Sequence, residues 1–184
     1  MSLFPLVNED AGEEVGKVFT EFRQDKNTSF VPNFFKTMAH SPTAVRGTWD
    51  VYRQVGNRGI VPTALKEMIF VVISAARGCQ YCESAHLAFC KVLGVDAETM
   101  VDLVRDMDAI RPLRARDILK FSVKCGLTPQ ALTTEDYAVL HSHGLSNEEI
   151  VEIVAMCAFS MYATTFADAT KVAIDDEFRA ILQP

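Results

Sequence analysis

The chain has no run of basic residues, no apolar stretch of membrane length and no even set of cysteines. Each absence narrows what it does. Lysine and arginine total 18 against 24 aspartates and glutamates, a formal net charge of −6 over 184 residues. The basic patch that a nucleic-acid binder needs is therefore missing. The longest apolar run, residues 68–76, is broken only by Ser74 and falls far short of the roughly 20 residues of a membrane helix. The opening MSLFPLVNEDAGEE has neither a basic n-region nor a long apolar core, so it does not read as a signal peptide, and no membrane partner is expected. Five cysteines, an odd number without a secretory signal, argue against a disulfide framework. No two alternating strands are joined by a hairpin turn, and no low-complexity segment or linker divides the chain. A soluble, cytoplasmic, single domain over residues 1–184 is the expectation.

What is present is helix punctuation. Ser41 followed by Pro42 reads as a cap and a first-turn proline. Pro62 and Thr63 open a helix to about Ala76, and Cys79 to Leu93 forms another, closed by Gly94. Asp96 caps a further helix, and Pro112 opens one ending at Gly126. Ser146 and Glu149 make a capping box ahead of a long helix towards Val172. The fold class is all-α. A constant offset of 85 aligns Leu65 with Ile150, Glu67 with Glu152 and Met68 with Ile153, which suggests a duplicated helical unit whose first copy alone carries chemistry.

That chemistry sits in EMIFVVISAARGCQYCESAH, residues 67–86. On a helix Cys79, Cys82 and His86 stand at i, i+3 and i+7 and share one face. Gly78 permits a sharp entry, placing both sulfurs in the first turn, where free N–H groups and the helix dipole favour a thiolate. His86 can then accept or relay the proton. Glu67 lies in an apolar surround, where a carboxylate needs a partner. It also suits the start of an ordinary surface helix.

Blander readings stand beside these. Two helix cysteines can simply pack as small hydrophobes. Cys79, Cys82 and His86 supply three zinc ligands, but a structural site wants four, and Cys90, Cys125 and Cys157 are scattered singly in apolar patterns that read as core. His40, His141 and His143 read as surface residues. Trp49, Tyr52 and the Phe34–Phe35 pair read as core or subunit contact. Tyr81, between the two cysteines, lines the pocket or donates a hydrogen bond.

Glu67, then Cys79-x-x-Cys82, then His86 resembles the alkylhydroperoxidase D (AhpD-like) group of the carboxymuconolactone decarboxylase superfamily. The later LTTEDYAVLHSHGLSNEEIVEIV resembles the second half of its peroxidase-related members, and the likeness spans about residues 30–175. The resemblance implies an all-helical fold, self-association as dimers, trimers or hexamers, and thiol-dependent peroxide reduction without haem or metal. It implies Cys82 as the peroxidatic cysteine, Cys79 as the resolving one, and His86 with Glu67 as the proton relay. It also implies a dithiol donor, thioredoxin-like or lipoyl-bearing. Some members carry a histidine just before the peroxidatic cysteine. Here Tyr81 holds that position, and a phenol titrating near 10 is a poor base.

The helix dipole favours Cys79 as the attacking sulfur, whereas proximity to His86 favours Cys82. A specific base within reach outweighs a modest dipole, so Cys82 is preferred. Two other functions compete with the hydroperoxide reductase. One is a redox sensor without turnover, and the other is lactone decarboxylase chemistry with incidental cysteines.

Overall fold

The helix signals become ten α-helices, with no strand among the described residues. The computed structural model describes residues 2–8 and 12–183. Residues 1, 9–11 and 184 lie outside it, and with them part of the N-terminal stretch read for a signal peptide and both ends of the expected domain span. The helices are α1 (Glu13–Lys26), α2 (Asn33–Met38), α3 (Pro42–Val51), α4 (Thr63–Arg77), α5 (Gln80–Val92), α6 (Ala97–Arg105), α7 (Leu113–Leu127), α8 (Thr134–Ser142), α9 (Asn147–Thr170) and α10 (Asp176–Leu182).

The caps act where the sequence put them. The Ala44 N–H donates to Ser41 Oγ at 3.3 Å, Thr99 N–H donates to Asp96 Oδ1 at 2.8 Å, and Ser146 with Glu149 closes a reciprocal capping box. Four helices lie beyond that punctuation. One is α8, with its own capping box of Thr133 and Asp136; the others are α1, α2 and α10. These three are held by apolar faces, with Phe19, Phe22, Phe34, Phe35 and Phe178 all buried.

Helix α4 is the centre of the molecule. Every residue from Lys66 to Ser74 is buried, and α5, α7 and α9 all pack on it. It ends at Gly78, whose φ of 73° is left-handed. The Gly78 N–H reaches Ala75 O at 3.0 Å, and the Cys79 N–H reaches Ser74 O at 2.9 Å. This Schellman-type closure satisfies the last carbonyls of α4 and reverses the chain directly into α5. Cys79 is then the N-cap residue of α5, and Cys82 lies in its first turn.

No duplication emerges. At the offset of 85, Gly78 corresponds to Ala163, which lies inside the unbroken α9 rather than at a turn. By length and composition α9 is apolar enough to cross a membrane, but half of its apolar window is buried inside this fold against α4, α5 and α7.

Between α3 and α4 the chain widens into a π-turn, Tyr52–Gly56. A Cβ on Gly56 would lie 2.7 Å from the Tyr52 ring, so the bare glycine lets that ring fold back over the turn. The ring is thereby aimed at the buried face of α4.

Candidate active site

Two adjacent residues of α4 carry opposite charge into the interior, and they go to different places. Lys66 reaches Glu152 on α9, whereas Glu67 faces α5 and α1. The Glu67 side chain is fully buried. Its Oε2 pairs with His86 Nδ1 at 2.5 Å, and its Oε1 accepts from the Tyr52 hydroxyl at 3.3 Å and faces Lys26 Nζ at 3.7 Å. Burial pushes the carboxyl up, but His86, Lys26 and Tyr52 together outweigh burial and leave it below the ordinary carboxylate value. Glu67 is thus held as a carboxylate. It fixes the imidazole of His86 through Nδ1, while the ring stacks on Phe70 with centroids 3.5 Å apart. No hydrogen bond engages Nε2 among the described residues.

Cys82, His86, Phe70 and Ala85 line one small apolar cavity, walled further by Phe34, Tyr52 and Phe159 and roofed by Pro32 and Phe178. Its volume is about 40 Å³, room for one or two small molecules of about water size. Cys79 does not line it. That sulfur is fully buried and lies 4.0 Å from the Thr164 carbonyl oxygen. All five cysteines are free thiols, and Cys90, Cys125 and Cys157 are buried, as the apolar patterns around them suggested.

The thiol setting differs from the sequence expectation. A first-turn sulfur was expected to be acidified by the helix dipole. Instead the Cys82 thiol is pushed well above the ordinary value by a hydrogen bond to Cys79, by burial and by the charges of Cys79 and Asp168. A hydrogen bond between the two sulfurs in an apolar enclosure holds the Cys82 proton tightly, so Cys82 needs a base to release it.

Tyr81 both lines the cavity and donates. Its hydroxyl gives a hydrogen bond to Asp175 Oδ2 at 2.9 Å and accepts one from the Phe34 N–H at 3.0 Å. Asp175 also accepts from the Asn33 N–H at 2.8 Å. Burial raises its carboxyl to about 6 against these bonds. The tyrosine therefore clamps α2 and the start of α10, which carry the cavity roof, onto the turn that bears the cysteines.

Among the described residues no three of His, Cys, Asp and Glu converge as metal ligands would, and Cys79, Cys82 and His86 do not form such a set. His40 is exposed, with Nε2 on the Pro5 carbonyl. His143 pairs with Asp117 at 2.8 Å, and His141 Nδ1 lies on the Leu145 carbonyl, all away from the cavity.

Sequence reasoning brought together Glu67, Cys79, Cys82 and His86. It did not find Lys26, Asn57 or Asp175, and it read Tyr52 as core or subunit contact, where the structure puts its hydroxyl on Glu67. One signal was available for Lys26. The buried positions of α1 are Val15, Val18, Phe19 and Phe22, and the next slot of that stripe, four residues on, is the lysine.

Residues 42–115 match the model of the carboxymuconolactone decarboxylase family. That span contains Tyr52 and the Glu67, Cys79, Cys82 and His86 set, but neither Lys26 nor Asp175. An alkylhydroperoxidase AhpD core structure, a peroxidase-related protein from Ralstonia eutropha JMP134, is 26% identical with a TM-score of 0.89, over 96% of this chain and 94% of that one. A peroxidase-related protein from Silicibacter sp. TM1040 is 24% identical, TM-score 0.85, over 96% and 93%. The debrominase Bmp8 in complex with 2,3,4-tribromopyrrole is 21% identical, TM-score 0.83, over 99% and 98%. The last two share the fold. Among curated proteins none matches the chain.

Proposed function

We propose that this chain, an AhpD-like member of the carboxymuconolactone decarboxylase superfamily, is a thiol-dependent hydroperoxide reductase. One observation carries the reading: Cys82 and His86 line the same small cavity, and Glu67 grips the far nitrogen of His86 from behind. A buried thiol that holds its proton tightly is inert by itself, and a carboxylate-oriented imidazole is the base it needs.

In this mechanism His86 takes the proton of Cys82. The thiolate attacks one peroxide oxygen; an S–O bond forms and the O–O bond breaks. The leaving hydroxide or alkoxide takes the proton back from His86 and departs as water or alcohol, leaving Cys82 as a sulfenic acid. Cys79 attacks that sulfur, expels water and closes the Cys79–Cys82 disulfide, the two thiols having supplied both electrons. A thioredoxin-like or lipoyl-bearing dithiol donor then restores the pair by exchange. The cavity's volume suits hydrogen peroxide or a small alkyl hydroperoxide with the roof closed. A cytoplasmic setting and a homo-oligomer of two, three or six subunits belong to the same proposal.

The test is a thiol count by peptide mass spectrometry before and after one equivalent of hydrogen peroxide. A new Cys79–Cys82 disulfide, reversed by dithiothreitol and formed again in repeated cycles, is expected. A disulfide that forms without turnover would favour a redox sensor, and five unchanged thiols would exclude both. Decarboxylase-type chemistry, which the family match also accommodates, would survive loss of both cysteines. A second reading rests on the aromatic rings that dominate the cavity wall. They would stack on a flat ring only with the wall moved apart, since about 40 Å³ holds water-sized molecules and not a brominated pyrrole. The two thiols would then supply two electrons, replacing a carbon–bromine bond by carbon–hydrogen, releasing bromide and a proton and closing the Cys79–Cys82 disulfide. Release of bromide from 2,3,4-tribromopyrrole in the presence of dithiothreitol, without peroxide turnover, would favour it.

A further inference from the structure

Glu67 lines one cavity and reaches a second, smaller one through His86. On its His86 side is the small apolar pocket of about 40 Å³ that Cys82 faces. On its other side is a larger space of about 440 Å³ with a mixed lining, the polar groups of Asp25, Lys26, Asn57 and Glu67 standing beside apolar Val92 and Leu93. That is room for on the order of ten waters. Lys26 stands at the junction. Its side chain is 11% exposed, and its Nζ donates to Asn57 Oδ1 at 2.6 Å and lies 3.7 Å from Glu67 Oε1. The ammonium also sits over the Tyr52 ring at 4.5 Å and the Phe89 ring at 5.0 Å. Asn57 in turn donates to Asp25 at 2.6 Å, so the lysine is fixed from three sides.

We infer that Lys26 is a positioning residue of the thiol site: reached from the larger cavity, its ammonium keeps Glu67 a carboxylate, so that the proton leaving Cys82 rests on His86, and water meets the relay on the side opposite the reactant. The inference rests on the Glu67–His86–Cys82 relay of the proposed function but not on peroxide as the reactant.

A carboxylate in an apolar interior takes up a proton unless a charge or donor opposes it. The charged and titratable groups facing Glu67 are His86 and Cys90 from α5, Tyr52 from the π-turn, and Lys26 with Asp25 from α1. Tyr52 is held protonated by burial and by Glu67 itself, and Cys90 is pushed up by burial and the same charge, so neither supplies a cation. His86 is the group whose protonation changes during the reaction. Lys26 is the only lysine or arginine within ion-pair distance of Glu67 among the described residues, and Arg58 lines the same cavity without reaching it. Burial lowers the lysine, and Glu67 with Asp25 offsets only part of that, so the net shift is downward.

The experiment follows alkylation of Cys82 by iodoacetamide, quantified on its peptide, between pH 5 and pH 10. Removing the cation raises the carboxyl, so in Lys26→Met and Lys26→Gln the acid limb should move up by about one pH unit or more. Lys26→Arg keeps the charge and should keep the wild-type limb. Lys26→Ala opens the ammonium's place to the larger cavity, and ethylammonium at millimolar concentration should return its limb towards wild type. Lys26→Gln retains a donor to Asn57 and guards against loss of folding, which circular dichroism checks. A limb unmoved in folded Lys26→Gln would overturn the assignment, as would equal shifts in the Gln and Arg variants. Failure of ethylammonium to move the Lys26→Ala limb would overturn the route through the larger cavity. If the wild type alkylates with this dependence yet reduces no peroxide, the peroxidase reading fails and the role of Lys26 stands. If peroxide is reduced and the limb ignores Lys26, the reverse holds.

Discussion

Lys66–Glu152 and Lys26–Glu67 are two buried lysine–glutamate pairs that meet α4 one residue apart, and they are built to opposite ends. In the first, the ammonium lies 2.5 Å from Glu152 Oε1 and also donates to the Arg58 carbonyl, while Glu152 Oε2 accepts from the N–H groups of Ile60 and Val61 at 3.0 and 2.9 Å. The second glutamate shares its oxygens with an imidazole and a phenol, and its lysine stands 3.7 Å off beside a cavity. This pair locks a loop to a helix, because both oxygens of Glu152 are engaged and removing the lysine leaves a largely enclosed carboxylate without its cation. A loosely paired carboxylate with titratable partners can pass its charge on.

Breaking one member of each pair tests that contrast most severely. Glu67→Gln keeps the shape of the site but removes the charge that supports His86. Peroxide-driven disulfide formation should then fall by about 10²–10⁴-fold, in stopped-flow measurements on a protein whose denaturant midpoint changes little. Lys66→Met leaves Glu152 without its cation. Urea unfolding should show a loss of about 3–5 kcal/mol, with the pH dependence of Cys82 alkylation unchanged. Equal stability losses in the two variants would erase the distinction.

A smaller effect sharpens the structural pair. Gly59 has φ of 93°, and a Cβ there would lie 1.5 Å from Glu152 Oε1. Gly59→Ala should therefore cost about 1–3 kcal/mol of backbone strain plus the clash with Glu152, read from the same urea curves; only the clash should be absorbed when Lys66→Met is already present, and the strain should remain.

Asp175 is an intermediate case, tied by Tyr81 and Asn33 but lacking a close cation. Burial raises its carboxyl from 3.8 to about 6 in the folded protein, so the folded state binds the proton more tightly than the unfolded chain. The stability it contributes is complete below about pH 3.8 and is lost as pH rises through about 6. Asp175→Asn removes that titration. Its melting temperature relative to wild type should climb between pH 4 and pH 6 and stay level above, as scanning calorimetry would show. A difference that is flat with pH would remove the burial argument.

Much of the fold was legible because caps are local. Ser41, Asp96 and Ser146 act on N–H groups two or three residues away, so sequence alone locates them. The cysteine pair and His86 were legible for the same reason, since one helix carries all three. The join of Glu67 to His86 crosses from one helix to another and was reached through the family resemblance rather than from spacing. Lys26 and Asp175 lay out of view because Lys26 arrives from a helix 41 residues before Glu67 and Asp175 from a helix cap 89 residues after His86. Nothing near Lys26 in sequence marks it beyond an apolar stripe that ends in a cation. The high affinity of Cys82 for its proton was illegible too, because it comes from burial under α2 and α10 and from the rotamers that join two sulfurs.

The most direct test of the central claim asks which sulfur the peroxide oxidises. Cys79→Ser protein treated with one equivalent of hydrogen peroxide in the presence of dimedone, then digested and mapped, should carry the adduct on Cys82, and the Cys82→Ser protein should carry none. An adduct on Cys79 in the Cys82→Ser protein, with Cys82 unlabelled in the other, would contradict the assignment and return the attacking role to the sulfur at the helix N-terminus.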